Sequence, residues 1–139
     1  MMNIQKGQGL KLCLDFADGQ ECTYPRTFLV LDADQSTSQL SLLNISSIRG
    51  KEHKLLFFSN ERIISYNPPF YLASFVKLDA QYTIDYFPDL DSTIMAKGNA
   101  LDPGEFQRIE QRYIDYLNLN EISSVYYEAS QVKEFNGIT

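Results

Sequence analysis

The sequence predicts a small, mainly β fold: an antiparallel barrel, closed or nearly closed, with one amphipathic helix near its C-terminal end. Short apolar segments separated by turn residues fill the first two thirds of the chain, which is typical of small barrels. A single helix is clearly marked, and it comes after these segments. With 139 residues, 44% of them hydrophobic, the chain is long enough for one domain with a core and too short for two. We therefore expect one domain over residues 1–139.

The strand candidates begin near the N-terminus. In residues 10–16 (LKLCLDF), leucine or phenylalanine occupies every second position. This is the period of a strand with one buried face. An Asp-Gly pair within residues 17–22 (ADGQEC) then marks a turn. The continuous apolar character of residues 27–32 predicts a strand buried on both faces. Residues 40–46 (LSLLNIS) predict a strand with a bulge.

Shorter strand candidates follow at residues 54–59, 62–66, 70–78 and 82–87. Pro68 and Pro69 mark a loop, since two prolines cannot lie inside a central strand. Towards the end of the chain, residues 123–130 (SSVYYEAS) are either a final strand or a segment that faces a partner. Residues 133–139 are predicted to be a frayed tail.

One helix is clearly marked, over about residues 103–117. Asp102 is a suitable N-cap, Pro103 suits the first helical position, and Glu105 is placed to reach back as a capping-box partner. Apolar residues recur at three- and four-residue steps, so we expect one face of the helix to pack on the barrel. The charged residues placed mostly on the other side are Glu105, Arg108, Arg112 and Asp115.

Charge and composition limit the function classes. The net charge of −6 and the pI of about 4.7 argue against a protein that coats nucleic acid non-specifically, because neutralising phosphates requires a positive field. The most basic short stretch is RGKEHK, residues 49–54, which is a candidate for a local patch. No apolar stretch has the length of a signal peptide core or a membrane span, so we expect a soluble, cytoplasmic protein without membrane contact.

Cysteine and histidine are scarce. A hairpin over residues 9–32 would bring Cys13 and Cys22 near each other, but a reducing cytoplasm favours free thiols, and we predict free thiols. His53 is the single histidine, and there is no Cys-x-x-Cys pair. The sequence therefore predicts no metal site.

Four segments, taken in order, carry a resemblance to a known family. They are YPRTFLVLD (24–32), LSLLNISS (40–47), FVKLD (75–79) and the helix at 102–119. Their order and pattern resemble the PemK/MazF family of toxin endoribonucleases from toxin–antitoxin systems. In that family an arginine enters an apolar strand, a later strand ends in Ile-Thr or Ile-Ser, and a helix closes the domain. The resemblance covers residues 9–119 and implies a small SH3-like barrel of the PemK/MazF/CcdB type with a C-terminal amphipathic helix.

The resemblance also implies an enzyme and its partners. Members of the family cut single-stranded mRNA without a metal or cofactor, using the ribose 2′-hydroxyl as nucleophile and leaving a cyclic phosphate. They act as homodimers and are neutralised by a cognate antitoxin protein. Arg26 matches the catalytic arginine, whose planar guanidinium holds two phosphate oxygens. Ser46 matches the catalytic threonine or serine, whose hydroxyl bonds the scissile phosphate.

Both catalytic candidates have structural alternatives. Arg26 is also placed to close a hairpin by pairing with an acid such as Glu21. Ser46 and its neighbour Ser47, which is a candidate for binding the same phosphate, are also typical of strand-end hydroxyls that satisfy turn backbone. The sequence alone leaves these alternatives open.

Other residues are candidates for substrate binding. The cationic candidates, which would attract the RNA backbone, are Arg49, Lys51, Lys54 and Lys77. The candidates for stacking unpaired bases are Tyr24, Tyr66 and Tyr71, although core packing is the more usual role of tyrosine. His53 titrates near neutral pH and would suit acid–base catalysis, but a lone loop histidine is more often ordinary surface.

Two departures from the family pattern leave other functions open. The proline that usually follows the arginine is absent, and Pro25 instead precedes Arg26. Ala73 and Ser74 stand where the family often has an acid and a glutamine, so one acid–base group is missing. Ala73 and the acidic pI favour a catalytically inactive barrel that acts as a binding module for nucleic acid or protein. A further alternative is a toxin that binds another protein, as gyrase-inhibiting relatives of this barrel do.

Overall fold

The computed structural model describes residues 2–138 and confirms the predicted fold class, a mainly antiparallel β-sheet with a C-terminal helix. Within these residues one sheet contains seven strands: β1 (Gly9–Leu12), β2 (Arg26–Asp34), β3 (Gln39–Ser47), β4 (Asn60–Arg62), β5 (Ser74–Lys77), β6 (Ala80–Asp85) and β7 (Ser123–Tyr127). The α-helices are α1 (Pro103–Leu119) and α2 (Ala129–Phe135), and 3₁₀ helices lie at Glu52–Leu56, Pro88–Thr93 and Ala96–Gly98. None of the described helices is long and apolar enough to cross a membrane.

Strand β3 organises the sheet. It pairs with β2 along most of its length, while its first residues also pair with β6 and its last three residues pair with β5. Strand β1 continues the sheet beyond β2, β4 continues it beyond β5, and β7 lies parallel to β6. The register irregularity lies in β2, between Val30 and Asp32, and not in β3, where the sequence predicted a bulge. A bulge can lie on either strand of a pair, and the apolar pattern of β3 alone does not show which. The sequence therefore placed the bulge on the wrong strand.

The side chains of β2 alternate between two apolar clusters. Phe28 and Val30 pack in one cluster with residues of β1 and β6. Leu29 and Leu31 point the other way, into a second cluster with residues of β5 and α1. Helix α2 adds the buried Val132 to the first cluster. Residues 28–31 are therefore buried on both faces of the sheet, and one face of α1 packs on it, as the sequence predicted. The predicted burial does not extend to the ends of the 27–32 segment, because Thr27 is half-buried and Asp32 is exposed.

The first turn of α1 is bonded differently from the prediction. The Asp102 carboxylate accepts a hydrogen bond from the Glu105 N–H at 3.1 Å, as expected of an N-cap. Glu105 does not complete a capping box, because its buried carboxylate accepts the Ile64 N–H at 2.6 Å and pairs with Arg108. Arg108 also pairs with Glu61 of β4 at 2.7 Å. The polar side of α1 is thus tied to the sheet, and the expectation that Glu105 faces away from the barrel is wrong.

Residues 54–59 do not form the strand that the sequence predicted. Residues Glu52–Leu56 form a 3₁₀ helix, and the side chains of Leu56 and Phe58 are 83% and 87% exposed. The Phe57 N–H bonds the Lys54 carbonyl, so local turns use the backbone groups that a strand would pair. The apolar side chains of Leu56 and Phe58 therefore lie on the surface and not in the core.

The C-terminal segment is more ordered than predicted. Residues 123–130 supply strand β7 and the start of α2, and residues 133–138, predicted to fray, continue that helix and its cap. The Asn136 side chain bonds both backbone groups of Cys13, accepting its N–H at 2.7 Å and donating to its carbonyl at 2.8 Å. The last residue of the predicted tail, Thr139, lies outside the described residues.

Cys13 and Cys22 form a disulfide, so the prediction of free thiols is wrong for this structure. The segment between them turns back on itself, and the Phe16 N–H bonds the Gln20 carbonyl at 2.8 Å. This turn brings the two cysteine Cα atoms to 5.6 Å, within the usual range for a disulfide. We call residues 13–22 the disulfide loop.

Candidate functional site

A cleft of about 390 Å³ lies where β2 begins and β3 ends. Arg26 is the first residue of β2, and Ser46 is the second to last residue of β3. Thr27 pairs with Ile45, so Arg26 and Ser46 are the next positions along two neighbouring antiparallel strands. The residues singled out by the sequence that line this cleft are Arg26, Ser46, Lys51, Lys54 and Lys77. Strands β2, β3 and β5, together with the segment after β3, thus bring these five side chains to one place.

The guanidinium of Arg26 lies over two aromatic rings. Its central carbon is 3.8 Å from the centre of the Tyr24 ring and 5.2 Å from that of the Phe16 ring. Its Nε is buried and has no hydrogen-bond partner among residues 2–138. Arg26 pairs with no carboxylate among these residues, so the hairpin-closing pair with Glu21 is not formed. Stacking therefore holds the guanidinium in place while leaving its charge available to an anion.

Ser46 is held by a lysine. The Lys51 ammonium donates a hydrogen bond to the Ser46 hydroxyl oxygen at 3.2 Å. A hydroxyl that accepts one bond retains its own proton for a second bond. Ser46 can therefore donate to an anion in the cleft, next to a positive charge.

Lys77 is half-buried among the other cations of the cleft. Burial lowers the pKa of the Lys77 ammonium, and the charges of Lys54 and Lys51 lower it further. Asp79 opposes these effects, and Arg26 adds to them. None of the four cations is ion-paired with a carboxylate of the described residues. A chain with a net charge of −6 thus concentrates four unpaired positive charges in one cleft.

Sequence reasoning missed several residues of the cleft. The disulfide loop contributes Phe16, Asp18 and Gln20, and the turn after β5 contributes Asp79. The Asp-Gly pair marked a turn in the loop, but nothing local indicated that the turn folds over Arg26. Within residues 2–138, no three His, Cys, Asp or Glu side chains come together in a way that could hold a metal ion.

Other predicted site residues lie outside the cleft. The Ser47 hydroxyl accepts the Arg49 N–H at 3.3 Å, which is the turn-backbone bond that was the structural alternative for a strand-end serine. Arg49 and His53 do not line the cleft, and Tyr24 reaches it through its contact with Arg26. The remaining tyrosine candidates also lie elsewhere: Tyr66 packs against the second apolar cluster, and Tyr71 borders other surface grooves.

The segment that departs from the family pattern supplies no acid to the cleft. Ser74 is buried, and its hydroxyl donates to the Leu72 carbonyl at 2.6 Å. The backbone carbonyl of Ala73 accepts the Ile48 N–H at 3.0 Å. Ala73 and Ser74 therefore both hydrogen-bond to the protein's own backbone.

The fold is similar to that of a solved structure described as an endoribonuclease in complex with its cognate antitoxin from a mycobacterial species. The TM-score is 0.54, the sequence identity is 14%, and the match covers 86% of this chain and 98% of that chain. At this identity the likeness shows the fold alone. No family model matches the sequence, and no curated protein matches it.

Proposed function

We propose that this protein is a toxin-type endoribonuclease that cleaves single-stranded mRNA without a metal, and that it is a single-domain member of the PemK/MazF group. The observation that carries the proposal is the cleft itself, which Arg26, Lys51, Lys54 and Lys77 line together with Ser46, without ion-pair partners among the described residues. The four cations outnumber the two carboxylates of the cleft, Asp18 and Asp79, so the cleft suits the negative charge of a phosphodiester. The fold shared with a known endoribonuclease supports the same activity.

The proposed reaction is an internal attack on phosphorus. The ribose 2′-hydroxyl releases its proton to water as its oxygen bonds to phosphorus. The bond from phosphorus to the 5′-oxygen breaks, the 5′-oxygen gains a proton, and a cyclic phosphate remains on the upstream fragment. Negative charge gathers on the non-bridging oxygens as the phosphorane forms, so fixed cations stabilise it. Arg26 would hold two of these oxygens through its planar fork, and Ser46 would donate a hydrogen bond to the same phosphate.

The remaining candidates would bind the strand on either side of the cut. Lys51 and Lys54 would neutralise neighbouring phosphates. Tyr24 stacks one face on Arg26 and is 55% exposed, so it is placed to receive a base at the mouth of the cleft. Ser47 and Arg49 lie on the turn that leaves β3 and would contact the backbone beyond the cleft.

We also propose that the protein acts in the cytoplasm as a homodimer and is neutralised by a cognate antitoxin. The side chains of Leu56, Phe58 and Leu119 are 83%, 87% and 84% exposed, and such apolar surface is typical of protein interfaces. The similar solved structure is itself in complex with its antitoxin. Sedimentation of the purified protein measures the dimer, and monomers at every concentration would exclude it.

The test is incubation of the purified protein with a long single-stranded RNA in excess chelator. The parent should cleave it and leave cyclic phosphate ends. Arg26→Ala should abolish cleavage with an unchanged circular dichroism spectrum. Arg62→Ala, on the exposed strand β4, is the matched control and should cleave like the parent. RNA binding without cleavage by the parent would favour a non-catalytic nucleic-acid-binding barrel, and absence of RNA binding would favour a toxin that binds a protein.

A further inference from the structure

Lys77 lies on the same face of the sheet as Ser46. Ser46 pairs with Phe75 across β3 and β5. Residues two apart on a strand share a face, so Lys77 projects to the side of the sheet that carries Ser46. Both side chains line the cleft together with Arg26. A phosphate held by Arg26 and Ser46 is therefore within the space that Lys77 borders.

The surroundings of Lys77 are mostly cationic. The charged groups that face it are Arg26 of β2, Lys51 and Lys54 of the segment after β3, and Asp79 of the turn after β5. On the neighbouring strand β4, Glu61 pairs with Arg108 and Arg112 and is not available to Lys77. Lys77 itself has no ion-pair partner among residues 2–138. Burial and the neighbouring cations both favour loss of its proton.

The proposed reaction needs an acid at the departing oxygen. When the bond from phosphorus to the 5′-oxygen breaks, its electron pair passes to that oxygen, which is a poor leaving group until it gains a proton. Arg26 keeps its proton at every working pH and cannot supply one. Ala73 occupies the position where the resemblance places an acid, and it has no proton to give.

We propose that Lys77 is the general acid of the cleavage reaction. Its ammonium proton passes to the 5′-oxygen as the bond to phosphorus breaks, and the neutral amine that remains takes a proton from water before the next turnover. This inference rests on the proposed ribonuclease function and replaces simple phosphate binding as the role of Lys77. It also explains how a chain with Ala73 at the acid position retains a proton donor.

The first test is Lys77→Arg, which keeps the positive charge but removes the transferable proton. Single-turnover cleavage at the bond that the parent cuts should slow by on the order of 10² or more, while RNA affinity should change less than threefold, on the order expected when charge is kept. The cleavage rate of the parent should fall as the pH rises through the pKa of Lys77, and this alkaline fall should be missing in the variant. Lys11→Arg, on the opposite face of the sheet, is the matched control.

The second test changes the leaving group. The same RNA is made with sulfur in place of the 5′-oxygen at the cut bond, because a thiolate departs without being protonated. Lys77→Arg should cleave this RNA as fast as the parent does. If Lys77→Arg cleaves both substrates more slowly, by the same factor, Lys77 only positions other groups. If Lys77→Arg cleaves ordinary RNA at the parent's rate, only the charge of Lys77 matters. Either result overturns the inference while leaving the proposed function intact. A parent that cleaves neither RNA would instead overturn the proposed function.

Discussion

The guanidinium of Arg26 lies over the Tyr24 ring, with 3.8 Å between the guanidinium carbon and the ring centre. The sequence predicted that Tyr24 stacks a base, whereas one of its faces is already used to hold the arginine. A cation–π contact of this kind contributes about 0.5–2 kcal/mol. The tyrosine therefore places Arg26 as well as facing the substrate.

We expect Tyr24→Ala to lower the cleavage rate by about 2- to 30-fold, the factor that corresponds to that contact energy. Tyr24→Phe should cleave like the parent, because it keeps the ring face and loses only the hydroxyl. Single-turnover rates of the three proteins test this, with thermal unfolding to confirm that each is folded. A Tyr24→Phe variant as slow as Tyr24→Ala would assign the effect to the hydroxyl.

Ser46→Ala should slow cleavage by about 10-fold or more, since one hydrogen bond to a charged group contributes about 1.5–3 kcal/mol. RNA affinity should change little, because Arg26 and the lysines still hold the phosphates. Ser47→Ala should have the smaller effect, since the Ser47 hydroxyl serves the Arg49 N–H. Rate and affinity are measured separately for both variants, and an unaltered rate for Ser46→Ala would remove Ser46 from the site.

Lys54→Ala should make RNA binding less sensitive to salt. Each phosphate neutralised on a single strand contributes about −0.7 to the slope of log affinity against log salt concentration, so losing one cation should reduce the slope by about that amount. Lys11→Ala, on the opposite sheet face, should leave the slope unchanged. Fluorescence anisotropy over a salt series measures both slopes, and equal slopes for Lys54→Ala and the parent would place Lys54 outside the RNA path.

Glu105 should make stability depend on pH. Hydrogen bonds from Arg108 lower the pKa of its carboxyl below the ordinary 4.5; burial acts in the opposite direction, and the Ile64 N–H lowers it further. A lowered pKa in the folded state contributes stability that is fully present above pH 4.5 and is lost as the pH falls through the lowered value.

Glu105→Gln should therefore be less stable than the parent at neutral pH, by about 1–3 kcal/mol. The difference between the two proteins should shrink as the pH falls well below 4.5, because the parent carboxyl is then protonated. Urea unfolding at a series of pH values measures this difference. A difference that stays constant with pH would show that the Glu105 charge does not contribute.

The disulfide loop should matter for both stability and activity. Cys22→Ser should lower the free energy of unfolding by about 2 kcal/mol, since it removes a short covalent loop. It should also slow cleavage, because the loop carries Phe16 and Asp18 into the cleft. Thiol titration of the unfolded parent, purified without reductant, should find no free thiol. Two free thiols would restore the sequence prediction, which followed from the reducing cytoplasm.

Arg26 and Ser46 were predicted because they match the arginine and the strand-end hydroxyl of the family that the sequence resembles. The order of their two strands permitted a hairpin but did not require one. A hairpin is a local structure, and its register places the two residues next to each other. The lysines were predicted from the charge of one short stretch and from the segment that ends β5. These parts of the fold and the site depend on contacts between adjacent elements, which patterns in the sequence report well.

The rest depends on contacts between distant parts of the chain. Residues 54–59 have strand-like composition, but no other strand covers them, and composition alone does not reveal that. The position of the disulfide loop over Arg26 depends on Asn136, which is 123 residues from Cys13 along the chain. Glu105 occupies a capping-box position in the sequence, but the backbone N–H that it bonds belongs to Ile64, 41 residues away. No local pattern reports that contact.

The bonds between Asn136 and Cys13 also set the order in which the cleft can be completed during synthesis. A nascent chain that has not yet exposed residue 136 has no partner for either backbone group of Cys13, the residue at which the disulfide loop begins. Ser123, which lines the cleft from β7, emerges almost as late. A chain halted earlier in translation therefore carries Arg26 and Ser46 without the Asn136 bonds to Cys13 and without Ser123.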